Sequence, residues 1–243
     1  MNRRNPGPLL AAGRSADVYL LGTDRVVRRY REPYAADFDA RREAEIMAYV
    51  RERGFPVPQV HDADRADIVM TRVVGPSMLA SITRRPWTLL SQAKTLASLH
   101  GQLHAITGPR WLRAPFGDDD TLLHLDLHPD NVLITNQGVM VIDWQNAARG
   151  PAGADLAKTW IILATASVPG NTAKAAVLRA ARQLFLRSFL GHVDAQAARS
   201  LLPLVAEAWM VNPRISELER AATSRLLRAS AAAKATRHDD PDA

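Results

Sequence analysis

The stretch that decides the fold reads His124-Leu125-Asp126-Leu127-His128-Pro129-Asp130-Asn131-Val132-Leu133-Ile134, and Val139-Met140-Val141-Ile142-Asp143-Trp144 follows it closely. Two short β-branched runs, 132–135 and 139–142, are separated by the turn Asn136-Gln137-Gly138, which predicts a β-hairpin. Asn131 and Asp143 are equidistant from Gln137, so they should emerge side by side at the open end of that hairpin. Asp126 lies just upstream, on the same rim.

One amide oxygen and two carboxylates at one end of a hairpin form a candidate site for a hard cation. Mg²⁺ prefers oxygen ligands, takes few of them from protein and leaves the rest to water and phosphate. Asn131 and Asp143 are the candidate ligands, which leaves Asp126 to orient a substrate hydroxyl. These are the components of phosphoryl transfer, where positioning and charge neutralisation supply most of the catalysis. The alternative is a group of polar turn residues that merely flank a buried hairpin.

The order of these residues resembles a known family. The spacing His-x-Asp-x-x-x-x-Asn over 124–131 matches the catalytic loop of protein kinases, with Asp143 in the place of their metal-binding Asp. His128 and the Ile-Asp-Trp sequence ending at Trp144 are more similar to the aminoglycoside phosphotransferase and choline kinase family. The resemblance covers the chain from Gly13 to Asp155.

This resemblance implies an α+β, two-lobed protein kinase-like fold. The N-lobe, 1–74, would be a small antiparallel sheet with one helix, followed by a hinge at 71–76. The mostly helical C-lobe, 75–243, would contain the catalytic loop 124–131 and Asp143 and end in a frayed tail, 234–243.

The resemblance also implies an activity, which is transfer of the γ-phosphate of ATP or GTP, with Mg²⁺, to a hydroxyl of a small molecule. Asp126 would be catalytic. His124 is interpreted as a buried support for the loop backbone. Asp155 is predicted to cap the next helix and to accept backbone N–H bonds from the loop. His128 either approaches the transferred phosphate or packs.

The nucleotide is assigned to the N-terminal segment. The turn formed by Gly13, Arg14 and Ser15 could fold over phosphates through its backbone N–H groups. By resemblance, the third strand, 25–30, should carry a cation for the α- and β-phosphates. Kinases use Lys there, but the first Lys of this chain is Lys94. Strand alternation places Val26 and Arg28 on one face, so we choose Arg28, with Val26 against the adenine and Arg29 as the alternative.

A carboxylate is predicted to pair with this cation. The helix that begins at Asp37 or Asp39 carries an apolar stripe, and Glu43 falls on the same face as that stripe. A carboxylate on the core side of a helix needs a partner, and in the family that partner is the strand cation. We therefore predict a Glu43–Arg28 ion pair. The alternative is a Glu at the edge of the stripe with its head in water.

Residues before the predicted hinge are assigned to the base of the nucleotide. By resemblance, the backbone of Thr71 to Val73 would pair with the adenine edge, and Met70 would lie behind the base. Ordinary core packing of Met70 is equally consistent with the sequence.

Composition excludes several function classes. The chain has 243 residues and no Cys, which suits one large domain or two lobes and removes disulfides and thiolate sites. We see no secretory signal and no apolar run long enough for a membrane, so we expect a cytoplasmic protein without a membrane partner. The net charge of +6 is compatible with a nucleic-acid partner. However, the Arg residues are scattered without a basic run, which indicates that they lie on solvated helix faces, so we expect no nucleic-acid partner.

Four helices are predicted after Trp144, at 155–167, 172–190, 194–210 and 213–233. By resemblance they line the acceptor pocket. A polycationic aminoglycoside needs clustered carboxylates, whereas the acidic residues there are few and set among many Arg: Asp194, Glu207, Glu217 and Glu219. We therefore predict that the main acceptor is a small hydroxylated molecule other than an aminoglycoside.

Two alternatives to a small-molecule kinase stay open. The absence of an N-terminal Lys permits a nucleotide-binding pseudokinase. An atypical protein kinase is the second, although 144–155 leaves no room for a long activation segment.

On the predicted helix 89–106, His100 and His104 are four residues apart, and packing near the catalytic loop is favoured over zinc binding.

Overall fold

The computed structural model describes residues 6–13, 15–32, 34, 39–166, 172–213 and 215–238, with side chains as far as residue 231. Its strands and helices are, in chain order, β1 Leu9–Ala12, β2 Ala16–Leu21, β3 Arg25–Tyr30, α1 Ala40–Glu52, β4 Val60–Ala63, β5 Asp67–Thr71, α2 Met78–Arg84, α3 Leu89–His104, β6 Leu122–Leu123, β7 Val132–Thr135, β8 Gly138–Val141, β9 Ala148–Arg149, α4 Ala152–Thr165, α5 Ala173–Leu190, α6 Ala195–Met210 and α7 Glu217–His238. None of the helices in these ranges is long and apolar enough to cross a membrane.

The chain divides into two compact units. The first contains Met1–Ser81 and Pro129–Ala147, and the second contains Ile82–His128 and Ala148–Ala243. This division differs from the predicted one, which ended the N-lobe at residue 74 and placed the hairpin of Asp143 in the C-lobe. The hairpin belongs to the first unit because its strands bond to that unit, with Ile134 N donating to Pro76 O at 2.9 Å and Val141 N to Pro56 O at 2.8 Å.

The first unit is built on a five-stranded antiparallel sheet in the order β1-β2-β3-β5-β4. The central strand β3 is rich in Val and Arg, and its Val27 is buried against Leu21 and Val69. Helix α1 begins after Asp39, whose carboxylate accepts a hydrogen bond from Arg41 N as a helix N-cap. The apolar face of α1 is buried, as the sequence pattern predicted.

The turn between β7 and β8 is one residue shorter than predicted. Thr135 pairs with Gly138, so only Asn136 and Gln137 form the loop. Gly138 has φ 123°, a value that glycine adopts easily, and the Thr135 hydroxyl accepts a hydrogen bond from Gln137 N. The register therefore shifts by one residue. Asn131 lies opposite Ile142, whose N–H donates to Asn131 O at 3.0 Å, and not opposite Asp143 as predicted.

The second unit is mostly helical. Its buried apolar residues come from helices α3 to α6 and from the two-residue pair β6–β9, and they include Leu96, Leu103, Leu122, Leu123, Ile161, Phe189 and Leu202. Helices α4 and α6 pack closely at Gly153, where an added Cβ would lie 2.6 Å from Ala197 O. A side chain at Gly153 would therefore force the two helices apart.

Several predicted helix ends are wrong. Helix α4 begins at Ala152 with Pro151 as its N-cap, so Asp155 lies inside the helix and does not cap it. Helix α7 begins at Glu217 and not at Pro213, because Ser216 and Glu219 form a reciprocal capping box. It continues to His238, whereas the sequence predicted an end near Ala233 and a frayed tail from 234.

Gly75 and Gly101 provide a matched test of packing. An Ala Cβ at Gly75 would lie 1.9 Å from Ile134 O, a backbone atom of β7 that has to move. We expect Gly75→Ala to lower the free energy of unfolding by about 1–3 kcal/mol through overpacking. Gly101 is exposed in the interior of α3 with nothing within 4 Å of an added Cβ. Gly101→Ala should raise stability by about 0.5–1 kcal/mol. Urea unfolding measures the free energy of unfolding of both variants. An unchanged stability of Gly75→Ala would contradict the close packing of Gly75 on β7.

Candidate active site

The Arg28 guanidinium is the centre of a buried polar cluster in the first unit. Its Nη1 donates hydrogen bonds to Glu43 and to the Tyr30 hydroxyl, the latter at 2.9 Å. Its Nη2 donates to Asp143 Oδ1 at 2.7 Å. Glu43 is buried on α1 and also accepts hydrogen bonds from the Tyr30 hydroxyl and from Trp144 N. The predicted Glu43–Arg28 ion pair is confirmed.

Arg29, the alternative cation, has a different partner. It lies on the other face of β3 and makes a bidentate pair with Asp67 on β5, through Nε to Oδ1 at 2.8 Å and Nη2 to Oδ2 at 2.6 Å. Arg28 is therefore the strand cation that meets the helix carboxylate.

Burial and charge act against each other in this cluster. Burial alone would lower the pKa of Arg28, but attraction to Glu43 and Asp143 raises it, so the guanidinium stays charged. Burial raises the pKa of the Glu43 carboxyl, and the Arg28 charge opposes that shift. Burial also raises the pKa of Tyr30. The cluster therefore holds a fixed positive charge that Glu43 and Asp143 share.

Asn131 and Asp143 are both in the first unit, at the open end of the β7–β8 hairpin. Asn131 is buried, and the Asp143 side chain is 26% exposed. Asp143 has φ 68°, in the left-handed region that a non-glycine residue enters at a cost. Its Oδ1 is taken by Arg28, which leaves Oδ2 without a hydrogen-bond partner among the described residues. An amide oxygen and a free carboxylate oxygen fit the ligand preferences of Mg²⁺.

The residues assigned to phosphates lie partly within the described chain. Gly13 ends β1, and its N–H donates to Ala16 O at 2.9 Å. Ser15 is buried, and its hydroxyl donates to Gln145 Oε1 at 3.2 Å, two residues after Asp143. Arg14 lies outside the described residues. The turn and the segment after Asp143 are thus joined inside the first unit.

The residues assigned to the base lie on β3, β5 and the segment after β5. Val26 and Met70 are buried and are cross-strand partners. Thr71 ends β5, and its hydroxyl is 2.9 Å from His61 Nε2. Val73 follows and is half-buried.

Asp126, which the sequence predicts to be catalytic, is in the second unit, and helix α4 holds the backbone on both sides of it. Asp155 Oδ1 accepts a hydrogen bond from Leu125 N at 2.6 Å, and the Thr159 hydroxyl donates to Leu127 O at 2.8 Å. Leu125 has φ 58°, a strained value for a Leu. The predicted hydrogen bond from the loop backbone to Asp155 is therefore confirmed, and Thr159 was not foreseen.

Three histidines surround these anchors. His104 Nε2 is 3.0 Å from Asp155 Oδ2, and His100 Nδ1 is 3.3 Å from the same oxygen. His100 Nε2 lies 3.1 Å from the Thr159 hydroxyl. His124 is fully buried one residue before Leu125. The expected packing of the α3 histidines near the loop is confirmed.

The buried carboxylate of Asp155 is stabilised as an anion. Burial alone would raise its pKa, but hydrogen bonds from His100 and His104 hold that pKa well below its usual range. Burial lowers the pKa of His100, with the Asp155 hydrogen bond opposing the shift.

One side chain lies close to Asp126, and a second is affected by its charge. His128 Nε2 is 3.7 Å from Asp126 Oδ1, and both side chains are 22% exposed. The Asp126 carboxylate also acts electrostatically on the Lys158 ammonium of α4. Sequence reasoning missed Lys158, because a single Lys in a predicted helix carries no motif.

Comparison with known proteins identifies the family. The sequence model of the phosphotransferase enzyme family (APH) matches residues 7–120 and 109–193, well over half of the chain. The chain belongs to this phosphotransferase family. The family suspected from the catalytic loop is thereby confirmed.

Individual relatives of this phosphotransferase-family protein match to different extents. A 39-residue segment is 41% identical to the thiamine kinases of Salmonella newport (strain SL254) and Salmonella heidelberg (strain SL476), which is 16% of this chain and 14% of those proteins. The aminoglycoside phosphotransferase APH(2'')-IIa, solved with streptomycin and ATP, aligns with TM-score 0.59 and 14% identity over 92% of this chain and 91% of that chain. The choline kinase of Cryptosporidium parvum Iowa II aligns with TM-score 0.57 and 13% identity over 94% and 90%. The predicted α+β kinase-like fold is confirmed.

The Arg28 cluster predicts a large loss of stability on truncation. Arg28→Ala would leave the Glu43 carboxylate buried without its cation, so we expect the free energy of unfolding to fall by about 3–5 kcal/mol, measured in urea. Arg31→Ala is the matched control, since Arg31 pairs with Asp17 at the exposed end of the same region. The control should barely change the unfolding midpoint. Equal effects of the two substitutions would contradict a special role for Arg28.

The shifted His100 predicts a pH dependence of stability. Its pKa is lowered in the folded state, so the unfolded chain binds more protons once the pH falls below about 6.5. The contribution of His100 to the free energy of unfolding should therefore be complete above that pH. Below it, the free energy of unfolding should decrease by at most about 1.4 kcal/mol per pH unit. His100→Gln should flatten the slope below about pH 6.5, whereas His192→Gln on the surface should retain it. An unchanged slope in His100→Gln argues against this assignment.

Proposed function

We propose that this protein transfers the γ-phosphate of a nucleoside triphosphate to a hydroxyl group of a small molecule. The observation that supports this most is the Arg28 guanidinium, which Glu43 and Asp143 hold together within the first unit. A guanidinium held in place beside the carboxylate of a candidate metal site can donate its remaining N–H groups to triphosphate oxygens. Membership of the phosphotransferase family supports the same reaction class.

The donor in this proposal is ATP or GTP. Arg28 holds α- and β-phosphate oxygens, and the turn of Gly13, Arg14 and Ser15 is assigned to the phosphates, as the sequence predicted. Val26 and Met70 pack on the base, and the backbone of Thr71 and Val73 recognises its edge. The named ligand of a similar solved structure, ATP in the APH(2'')-IIa complex, agrees with nucleotide use.

In this proposal Asn131 and Asp143 hold Mg²⁺. When bound, Mg²⁺ supplies positive charge that offsets the negative charge of the phosphates. Asp143 offers Oδ2 for this purpose while Oδ1 stays on Arg28.

Asp126 orients the acceptor hydroxyl and accepts its proton as the new O–P bond forms. The bond between the γ-phosphorus and the oxygen bridging it to the β-phosphate breaks in the same step, and the nucleoside diphosphate leaves. The hydrogen bonds from Leu125 to Asp155 and from Thr159 to Leu127 fix the backbone on either side of Asp126. Such preorganisation lowers the cost of reaching the reactive geometry. His128 lies beside the Asp126 carboxylate and His124 supports the loop from the core.

We propose an acceptor other than an aminoglycoside. Two of the four carboxylates that could attract a polycation are occupied as helix caps. Asp194 accepts from Gln196 N and Ala197 N, and Glu219 accepts from Ser216. Among the described residues, the one close group of three or more acidic or histidine side chains is His100, His104 and Asp155, which is not the carboxylate cluster that a polycation requires.

The test is nucleotide consumption with a broad panel of hydroxylated metabolites and antibiotics. We expect turnover with at least one non-aminoglycoside acceptor, and a decrease of at least about 100-fold for Asp126→Asn, which loses the general base. Asp130→Asn is the matched control, because Asp130 lies in the same loop and its carboxylate accepts from Ser77. The control should stay within a few-fold of the parent. Nucleotide and Mg²⁺ binding without turnover across the panel would indicate a pseudokinase instead.

A further inference from the structure

Lys158 is an ammonium group without a conventional partner. It lies half-buried on α4, and its Nζ is 3.3 Å from the centre of the Trp209 ring on α6. Within the described residues, this ammonium makes no hydrogen bond and no ion pair. The indole N–H of Trp209 is also buried without an acceptor. Because the indole N–H is enclosed, the Lys158 ammonium is the donor that this pair presents, and the pair contains no acceptor, which suits an anionic ligand.

The position of Lys158 connects it to the proposed reaction. It lies between Asp155 and Thr159, the two α4 residues that bond to the backbone on either side of Asp126. The same short segment of α4 thus carries the anchors of Asp126 and the free ammonium.

Three charged groups act on the Lys158 ammonium: the carboxylates of Asp126 and Glu219 and the guanidinium of Arg113. Glu219 is committed to Ser216 in the capping box of α7. Burial lowers the pKa of Lys158 to about 8, and the Asp126 charge opposes this shift. Lys158 is therefore still cationic at neutral pH.

We infer that Lys158, held on the face of Trp209, is a specificity-determining residue that selects an acceptor carrying an anionic group in addition to its hydroxyl. This inference rests on the proposed phosphotransfer at Asp126. The hydroxyl of such an acceptor meets Asp126, and its carboxylate or phosphate receives charge-assisted hydrogen bonds from Lys158.

The same geometry disfavours cationic acceptors. A quaternary ammonium group binds proteins by stacking on aromatic faces, and the face of Trp209 is the aromatic surface next to Lys158. Lys158 already occupies that face and repels a second positive charge. Arg113 adds to the repulsion, since its charge also acts on this position.

The test compares acceptors that differ mainly in charge. Nucleotide consumption is measured with glycerol, glycerate, glycerol phosphate and choline, and with glucose, gluconate, glucose phosphate and glucosamine. We expect lower KM for the anionic member of a series than for its neutral or cationic counterpart. The carboxylate and phosphate members distinguish the two possible anions.

Substitutions of Lys158 separate a binding role from a structural one. Lys158→Met keeps the length of the side chain and removes the charge, so KM for anionic acceptors should rise about 10- to 100-fold, with a much smaller effect on kcat. Lys158→Arg should restore the preference for anions. In the parent enzyme, KM for anionic acceptors should also rise above about pH 8, where Lys158 loses its proton. Lys158→Arg should remove that rise, because a guanidinium does not titrate there.

Two results overturn the inference and are distinguishable from failure of the proposed function. Turnover of neutral or cationic alcohols with no preference for anions refutes the selection while leaving phosphotransfer intact. An anion preference that Lys158→Met leaves unchanged refutes the role of Lys158. Absence of nucleotide consumption with every acceptor, despite nucleotide binding seen by thermal shift, would remove the proposed function and the inference together.

Discussion

The ion pair between Arg28 and Glu43 is the contact on which the first unit depends. Glu43 lies in the apolar face of α1, and an unpaired carboxylate there would cost several kcal/mol, roughly 3–5 when one partner of a buried pair is removed. The pair therefore fixes α1 against β3. Because Glu43 also accepts from Trp144 N and Arg28 donates to Asp143, the segment after the β7–β8 hairpin is bound to the same point. One buried charge thus joins the sheet, the helix and the hairpin.

The second unit also contains a buried carboxylate that joins several segments, and this carboxylate is Asp155. Asp155 is buried on α4. Its Oδ1 accepts from Leu125 N, and its Oδ2 lies 3.0 Å from His104 Nε2 and 3.3 Å from His100 Nδ1. Desolvation would favour the neutral acid, so the carboxylate remains ionised only because these donors are in place. The anchoring of the catalytic loop and the stability of α4 are consequently one property. The strained φ of Leu125 persists because this bond and the surrounding core hold it.

Features with a periodic or fixed-spacing signature could be predicted from the sequence. Helical spacing placed Glu43 on the buried face, and strand alternation separated Arg28 from Arg29. The loop spacing predicted the family. Backbone details carried no such signal. The conformation of Gly138 makes the hairpin turn shorter than predicted and shifts the partner of Asn131 by one residue. The capping box of Ser216 and Glu219 places the start of α7 later than predicted. Thr159 and Lys158 depend on how α4 faces the loop, which is a tertiary property.

The close approach of α4 and α6 at Gly153 has a consequence for function. Asp155 and Thr159 are rigidly spaced on α4, so the Asp126 backbone follows any rotation or translation of that helix. A bulkier residue at Gly153 would collide with Ala197 O and tilt α4 as a rigid rod. If the proposed function holds, activity would then decline through misalignment of the Asp126 carboxylate, although no residue of the loop 124–131 had been changed. Substitutions where α4 packs on α6 should therefore be limited by the alignment of Asp126 as well as by the stability of the fold.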